Sequence, residues 1–514
     1  MKNRKRNPNM EREHFGEYQE IPYEDEEREE EYDSYDFERS SERKIKNPNA
    51  KYIMFVTYVF VGIFVSMLGY MVYYNLICAP ETINSSYNKR QDIFAEKIVR
   101  GKILANDGTI LAQTNVAWDG TETREYPYGR TFAHVLGYSA KGKAGIELNG
   151  NFKLLDSHAF LLERIKNTVK GEKNIGDDVV STLDVQLQQI AYDSFGKNKG
   201  AVIVMEPETG KILAMVSKPD YNPNEIESTW ESLNEDTSGD SPLLNRATHG
   251  VYPPGSTFKI ITTLAYIRQN KNYENYSYDC TSSITQDDVT INCYHNKTHG
   301  TVDLPTSFAK SCNSSFANIG LSLDKGKFKE TCDSLLFNQK LSLPFSYKQS
   351  SVTISEDSDT DEVMQTSIGQ GKTQMTPLHM AMLTSAIAND GILMKPYLIN
   401  SVQNYSGTVI KEYHSKEMAK LMTTQEAEAL QKLMRGVVTD GTASKLNTSS
   451  YEAYGKTGSA EYGTQKGKSH SWYTGYATKN GKTIVTTIIM EGAGSGSEYA
   501  VPVAGKLYQN YFSR

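Results

Sequence analysis

The sequence predicts an α/β (α+β) protein: a mixed sheet flanked by helices, with a small β-rich module before it and one membrane-spanning helix before both. Three observations carry this reading. Residues Tyr52 to Ala79 hold no charge across 28 positions. Residues 80–170 break into short strand-like runs, and from Gly171 onward strands and helical patterns alternate to the end of the chain. At 514 residues and 38% hydrophobic content, the chain has length for two or three domains and a sizeable core. A formal net charge of -7 leaves no basic footprint, so no nucleic-acid partner is expected.

Residues 1–51 are rich in Glu, Arg, Asn and Tyr, with the run Glu24 to Glu31 at their centre and no apolar periodicity. They read as a disordered cytoplasmic tail, a solvated spacer more than a docking peptide. The apolar run 52–79 is long enough for a hydrocarbon core of roughly 30 Å. A cleaved signal peptide is the competing reading, but the long polar lead and the lack of a small-x-small cleavage site favour an anchor. Arg43, Lys44, Lys46 and Lys51 crowd its N-terminal flank while Glu81 opens the other, so the positive-inside rule leaves the tail in the cytoplasm and everything from Pro80 outside.

In residues 80–170, Lys97 to Ala105 reads as short strands and Asn106-Asp107-Gly108 as a tight hairpin turn. Residues 171–514 form the second module. Val179 to Leu183 is a strand leading into a helix with Leu187 and Ile190. Strands at 200–206 and 211–217 are joined by Pro207-Glu208-Thr209-Gly210, and strands at 470–477 and 483–490, divided by Asn480-Gly481, belong beside the one that holds Lys456. The Ser/Asp-rich stretch 349–362 reads as a loop.

Three short motifs carry the chemistry: Ser256-Thr257-Phe258-Lys259, Ser311-Cys312-Asn313 and Lys456-Thr457-Gly458. Each alone is weak, since Ser41-Glu42-Arg43-Lys44 and Ser86-Tyr87-Asn88 match the first two patterns without a site around them. What chance rarely makes is all three in order, each in fitting context: a Pro-Pro-Gly turn before a helix, a short loop, and a Gly-flanked strand. With a helix starting at that turn, Ser256 and Lys259 share one face of its first turn. A serine hydroxyl is a weak nucleophile until a base takes its proton, and Lys, near 10.4 in water, is a base only where burial or a nearby cation lowers that value. Lys456 is the candidate second cation. The bland alternatives are a capped helix with a surface lysine, a Ser/Asn turn and an ordinary strand end.

These motifs, with Arg100-Gly101-Lys102-Ile103, Gly145-Ile146-Glu147, Asn245-Arg246-Ala247, Tyr252-Pro253-Pro254-Gly255, Gly369-Gln370-Gly371 and Trp472 to Tyr476, make the chain resemble the penicillin-binding proteins, specifically the monofunctional class B D,D-transpeptidases of peptidoglycan. The resemblance covers nearly everything after the membrane segment. It implies the penicillin-binding transpeptidase fold for 171–514 and a pedestal, or dimerisation-like, domain for 80–170, too small for a glycosyltransferase. It implies attack by Ser256 on the D-Ala-D-Ala carbonyl of a stem peptide, loss of the last D-Ala, and aminolysis of the acyl-enzyme in division, elongation or sporulation. β-Lactams enter as mimics of the donor. Ser311 relays a proton to the leaving amine, and Asn313 steadies Lys259 and the substrate amide. Lys456 and Thr457 receive the terminal carboxylate, Gly458 allows close backbone approach, and the amides of Ser256 and Ser459 form the oxyanion hole. No cofactor is required for this chemistry, and a polytopic glycan polymerase of the shape, elongation, division and sporulation family is the implied partner.

Rival readings keep the nucleophile and change the outcome. A membrane-anchored β-lactam sensor usually adds a His-Glu-x-x-His metalloprotease motif, which the chain does not contain. A D,D-carboxypeptidase or β-lactamase uses water as acceptor.

Five cysteines do not make a disulfide framework, and Cys78 belongs to the membrane segment. Cys280, Cys293 and Cys312 bracket a segment with His295 and His299, and three thiols with a histidine suit a four-coordinate structural zinc. The expected set is Cys280, Cys293, Cys312 and His299, with His295 or Asp288 as substitutes. Buried reduced thiols and a Cys280–Cys293 disulfide are the competing readings.

Overall fold

The computed structural model describes residues 49–74, 95–462 and 468–514. Most of the tail, Cys78 and the two stray motif matches lie outside these residues.

Ala50–Tyr73 is a continuous helix whose stretch Lys51–Tyr73 has a mean hydropathy of 2.0, long and apolar enough to cross a membrane. It forms a unit by itself.

The second unit is built on two sheets. One has five strands, all antiparallel, in the spatial order Glu452–Glu461, Ser469–Lys479, Lys482–Met490, Gly200–Met205, Ile212–Lys218. The Asn480-Gly481 turn has positive φ at both residues, the backbone a two-residue hairpin requires. Runs such as Ala201 to Met205 are buried on both faces, which explains their continuous apolar sequence. The helix Pro377–Ala388 packs on one face. Val185–Phe195 and Ala500–Phe512 pack together on the sheet and its neighbours.

The other sheet has six strands and supplies the parallel pairing that makes the architecture mixed. Ile103–Leu104 runs parallel to Asp178–Ser181 and antiparallel to Ile110–Val116, which pairs with Glu122–Glu125. On the far side of Asp178–Ser181 lie Ile399–Gln403 and Val409–Glu412. The sheet therefore draws strands from both sides of residue 170.

Below it sits a buried charge cluster that accounts for two sequence motifs. Glu147, fully buried, accepts from Arg100 Nε at 2.6 Å, from Arg124 Nε at 2.8 Å and from the Tyr126 hydroxyl at 3.2 Å. Burial alone would raise its carboxyl, but Arg100 and then Arg124 outweigh that and hold it below its ordinary value.

The stretch 349–362 is irregular only to Asp359. That side chain accepts from Glu362 N at 2.8 Å and caps the helix Thr360–Ser367, so the last three residues are helical.

Candidate active site

The sequence Tyr252-Pro253-Pro254-Gly255 delivers Ser256 into a short 3-10 turn, Gly255–Phe258, that runs straight into the helix Lys259–Gln269. In such a turn residues three apart eclipse, which sets Ser256 above Lys259. The turn is pinned from two sides. Gly255 N donates to Gly369 O at 2.8 Å, and both glycines have positive φ. A Cβ on Gly369 would lie 2.1 Å from the Gly255 oxygen, so Gly369-Gln370-Gly371 exists to let two backbones touch. From the other side Trp472 Nε1 donates to Pro253 O at 3.1 Å. Asn245-Arg246-Ala247 braces the approach: buried Arg246 pairs with Glu491 at 2.7 Å, and the Tyr252 hydroxyl donates to the same carboxylate at 2.7 Å.

Ser311 follows the helix Leu304–Ala309 and takes a left-handed φ of 58°, an uncommon posture for serine that turns the chain into the helix Asn313–Ser322. Lys456-Thr457-Gly458 lies on the sheet's edge strand, Glu452–Glu461. A Cβ on Gly458 would stand 3.2 Å from Pro254 O, so glycine here brings the edge strand against the Ser256 turn.

The three segments meet. Lys259 Nζ donates to Ser311 O at 2.8 Å, Ser311 Oγ at 3.2 Å and Asn313 Oδ1 at 2.7 Å. Lys456 Nζ donates to the same Ser311 Oγ at 2.9 Å and to Thr457 O at 3.1 Å. Asn313 is itself oriented by its amide, which donates to Asn292 O at 3.0 Å. Both lysines are fully buried, and among the described residues neither forms an ion pair. Burial lowers Lys259 to about 7. Burial first, and then the charge of Lys259, lowers Lys456 well below its ordinary value. The influence expected of Lys456 on Lys259 thus acts chiefly in the other direction.

In front of these groups lies a cleft of about 310 Å³ lined by Ser256, Ser311, Asn313, Thr457, Gly458 and Ser459. Lys456 is behind that lining, its ammonium turned to Ser311. The polar groups that face the cleft beside Thr457 include Thr442, Ser495 and Ser497. Thr442 Oγ1 and Thr457 Oγ1 are 2.5 Å apart. The sequence reading missed these residues: Thr442 follows a helix without a motif, and Gly492 to Ser497 carries no recognised motif.

Cys280, Cys293, Cys312 and His299 also converge, with one ligand atom from each inside a 4.8 Å cluster. Cys293 Sγ lies 3.7 Å from both Cys280 Sγ and Cys312 Sγ, and Cys280 Sγ lies 3.4 Å from His299 Nδ1. Sulfurs 3.7 Å apart are not disulfide-bonded, and all three thiols are free. Ligands about 2.3 Å from a tetrahedral zinc stand about 3.8 Å apart, so the donor set fits such an ion. The two substitutes stay outside the group. Asp288 is in the positive-φ turn between the strands Ser283–Gln286 and Val289–Asn292, and His295, also at positive φ, lies against Tyr294. His299 belongs to both assemblies, since it also lines the cleft. Cys332 is separate, buried in the main core.

Comparison with known proteins agrees with this architecture. Residues 200–509 match the family model of the penicillin binding protein transpeptidase domain, and residues 100–179 that of the penicillin binding protein A dimerisation domain. The peptidoglycan D,D-transpeptidase PbpA of Mycolicibacterium smegmatis is 32% identical over 439 residues, 79% of this chain and 87% of that protein. The penicillin G acyl-enzyme of penicillin-binding protein A from M. tuberculosis superposes with a TM-score of 0.73 at 28% identity, over 81% of this chain and 100% of that one. The D,D-transpeptidase domain of a peptidoglycan glycosyltransferase from Eggerthella lenta gives a TM-score of 0.72 at 30% identity, over 80% of this chain and 98% of that one. The ordered trio of motifs and these matches over most of the chain lead to one conclusion: the chain belongs to the class B penicillin-binding proteins.

Proposed function

We propose that the protein is a serine D,D-transpeptidase that cross-links peptidoglycan stem peptides and is acylated by β-lactams. One observation carries the assignment of residues: Lys259 and Lys456 both bond Ser311 Oγ behind a cleft that exposes Ser256. Ser256 Oγ attacks the carbonyl of the penultimate D-Ala while neutral Lys259 takes its proton. The oxyanion forms against the amides of Ser256 and Ser459. The C–N bond to the last D-Ala breaks, and Ser311, hydrogen-bonded to both lysines, relays the proton from Lys259 to the leaving amine. An amine of a neighbouring strand then attacks the ester, Lys259, neutral again, takes its proton and returns it to Ser256 Oγ as the C–O bond breaks, and the serine is free. Thr457, with Thr442, Ser495 and Ser497, faces the terminal carboxylate, and Lys456 holds Ser311 from behind.

Ser256→Ala abolishes the covalent penicillin adduct in intact-mass spectrometry while circular dichroism stays unchanged; an adduct of undiminished yield overturns the assignment. Transfer to an added amine in place of water separates a transpeptidase from a carboxypeptidase or β-lactamase, and a long-lived adduct with no such transfer identifies a sensor.

The same reading makes Ala50–Tyr73 the anchor, with the tail 1–51 in the cytoplasm, 80–170 as pedestal and 171–514 as catalytic module outside, working beside a polytopic glycan polymerase. It also assigns Cys280, Cys293, Cys312 and His299 a structural zinc that braces the Ser311 loop. The chemistry itself needs no cofactor. The zinc assignment rests on the spacing of the four donors, and metal analysis with thiol counting under denaturation tests it: stoichiometric zinc supports it, and metal-free protein overturns it.

A further inference from the structure

The wall of the cleft assigned to the terminal carboxylate is rich in hydroxyls: Thr442, Thr457, Ser495 and Ser497 each offer one donor. Lys456, the cation expected there, is fully buried and commits its amine to Ser311 Oγ at 2.9 Å and Thr457 O at 3.1 Å. Burial, and then the charge of Lys259, also hold it well below its ordinary value. A carboxylate that leaves water for this wall therefore needs a cation from another source.

Two lysines line the cleft, Lys297 and Lys310. Lys310 is the one built into the carboxylate wall. It follows the helix Leu304–Ala309 and precedes Ser311, and its Nζ donates to Asp440 O at 2.6 Å. The segment after Asp440 is pinned to the same helix end: Thr442 N donates to Ala309 O at 3.3 Å, and a Cβ on Gly441 would lie 2.4 Å from that oxygen. Thr442 Oγ1 in turn meets Thr457 Oγ1 at 2.5 Å. Lys310, Gly441, Thr442 and Thr457 thus form one continuous stretch of lining. Lys297 reaches the cleft from a separate segment, after the turn Tyr294–Asn296.

The charge of Lys310 is not cancelled where it stands. Asp440 offers it a backbone oxygen, whereas the Asp440 carboxylate accepts from Thr439 Oγ1 at 2.6 Å. Among the described residues Lys310 forms no ion pair, and no carboxylate side chain lines the cleft. An ammonium carries three donors, so others remain for a ligand after the bond to Asp440 O. That bond also restrains a long side chain, which lowers the entropy lost when an anion arrives.

We propose that Lys310 is the cation that recognises the C-terminal carboxylate of the donor peptide, and the carboxylate of a β-lactam in its place, with Thr442 and Thr457 orienting the anion. The proposal rests on the transpeptidase reading and deepens it. It divides two roles between two lysines: Lys456 holds the proton-relaying Ser311, and Lys310 selects donors that end in an anion.

The test uses the full chain in detergent micelles with benzylpenicillin and its methyl ester, the same acyl donor with and without the anion. The ratio of their second-order acylation constants, acid over ester, reads recognition of the carboxylate. In Lys310→Gln this ratio falls about tenfold, the scale of a charge-assisted hydrogen bond, through a higher half-saturating concentration of the acid and not a slower limiting rate. Lys310→Arg, which keeps the cation, retains most of the ratio, and Lys297→Gln keeps the parent value. An unchanged ratio in Lys310→Gln overturns the proposal. An equal loss on acid and ester overturns it as well, making Lys310 a structural support of the neighbouring Ser311. An equal fall in Lys297→Gln does the same, assigning the effect to the general potential of the cleft. A parent chain that forms no adduct with benzylpenicillin is a different failure: it removes the transpeptidase reading, and the proposal with it.

Discussion

Two clusters in this protein bury charge equally deeply and settle it in opposite ways. In the segment 100–179, Glu147 is surrounded by Arg100 and Arg124, and the guanidiniums hold its carboxyl below the ordinary value. At the cleft, Lys259 and Lys456 face hydroxyl, carbonyl and amide oxygens and, among the described residues, no carboxylate in an ion pair, and burial drives both toward the neutral form. A buried charge that meets its opposite becomes a fixed joint, whereas one that meets only dipoles becomes a proton acceptor. The lesson is that burial alone does not mark a functional lysine; the missing counter-ion does.

The comparison breaks most sharply at Lys259. Lys259→Arg keeps a cation but removes the base, and acylation by penicillin in stopped flow falls about 10²–10⁴-fold, the range general-base catalysis supplies. Lys456→Arg, at a side chain that stands behind Ser311 and does not take the Ser256 proton, loses far less. Acylation of Lys259→Arg near the parent rate would remove the base from the mechanism.

Glu147→Ala is the converse experiment. It strands two buried guanidiniums and costs about 3–5 kcal/mol in denaturant unfolding, while the folded fraction still binds penicillin at the parent rate. An unchanged midpoint would mean that the cluster is not a joint.

The pH profile sharpens the contrast. With Lys259 at about 7, the base is mostly protonated below that value, so the acylation rate rises with pH, tenfold per unit at the acid side, and levels above neutrality. Glu147, depressed and buried, contributes no step there. A flat acylation profile from pH 5.5 to 8.5 would contradict the low value for Lys259.

The smallest expected effect concerns the thiol cluster. If the proposed zinc is bound, chelation lowers the melting temperature by a few degrees and slows acylation together, because Cys312 lies between Ser311 and Asn313, the residues proposed for the proton relay. Loss of melting temperature with full acylation would confine the cluster to stability.

Much of this was legible in the chain because the determinants are local. Two β-rich runs, Ser469 to Lys479 and Lys482 to Met490, with Asn480-Gly481 between them read as a hairpin, and the Pro-Pro-Gly before Ser256 announces a turn into a helix. What escaped depends on contacts between distant segments. That Lys456 turns toward Ser311, that Thr442 meets Thr457, and that Gly492 to Ser497 closes the cleft follow from how the edge strand seats against three other elements. Gly496 illustrates the limit: a Cβ there would lie 2.2 Å from Trp472 O, so a glycine that looks like slack in the sequence is a close backbone crossing. Asp288 was a reasonable ligand by spacing, but a two-residue hairpin turn carries it away from the sulfurs.

The six-stranded sheet has a consequence for anyone who would cut or exchange parts of this molecule. Ile399–Gln403 and Val409–Glu412 reach it from deep within the catalytic half of the sequence and cover the far edge of Asp178–Ser181. A fragment ending near residue 170 would lack Asp178–Ser181 as well, leaving Ile103–Leu104 with one bare flank, and the remainder would carry three strands with an unpaired edge of its own. Bare strand edges recruit other chains. Pedestals transplanted between relatives should therefore travel with their partner strands from both stretches of sequence, and inheritance of the two halves should be joint: in breeding terms, they are linked loci within a single gene.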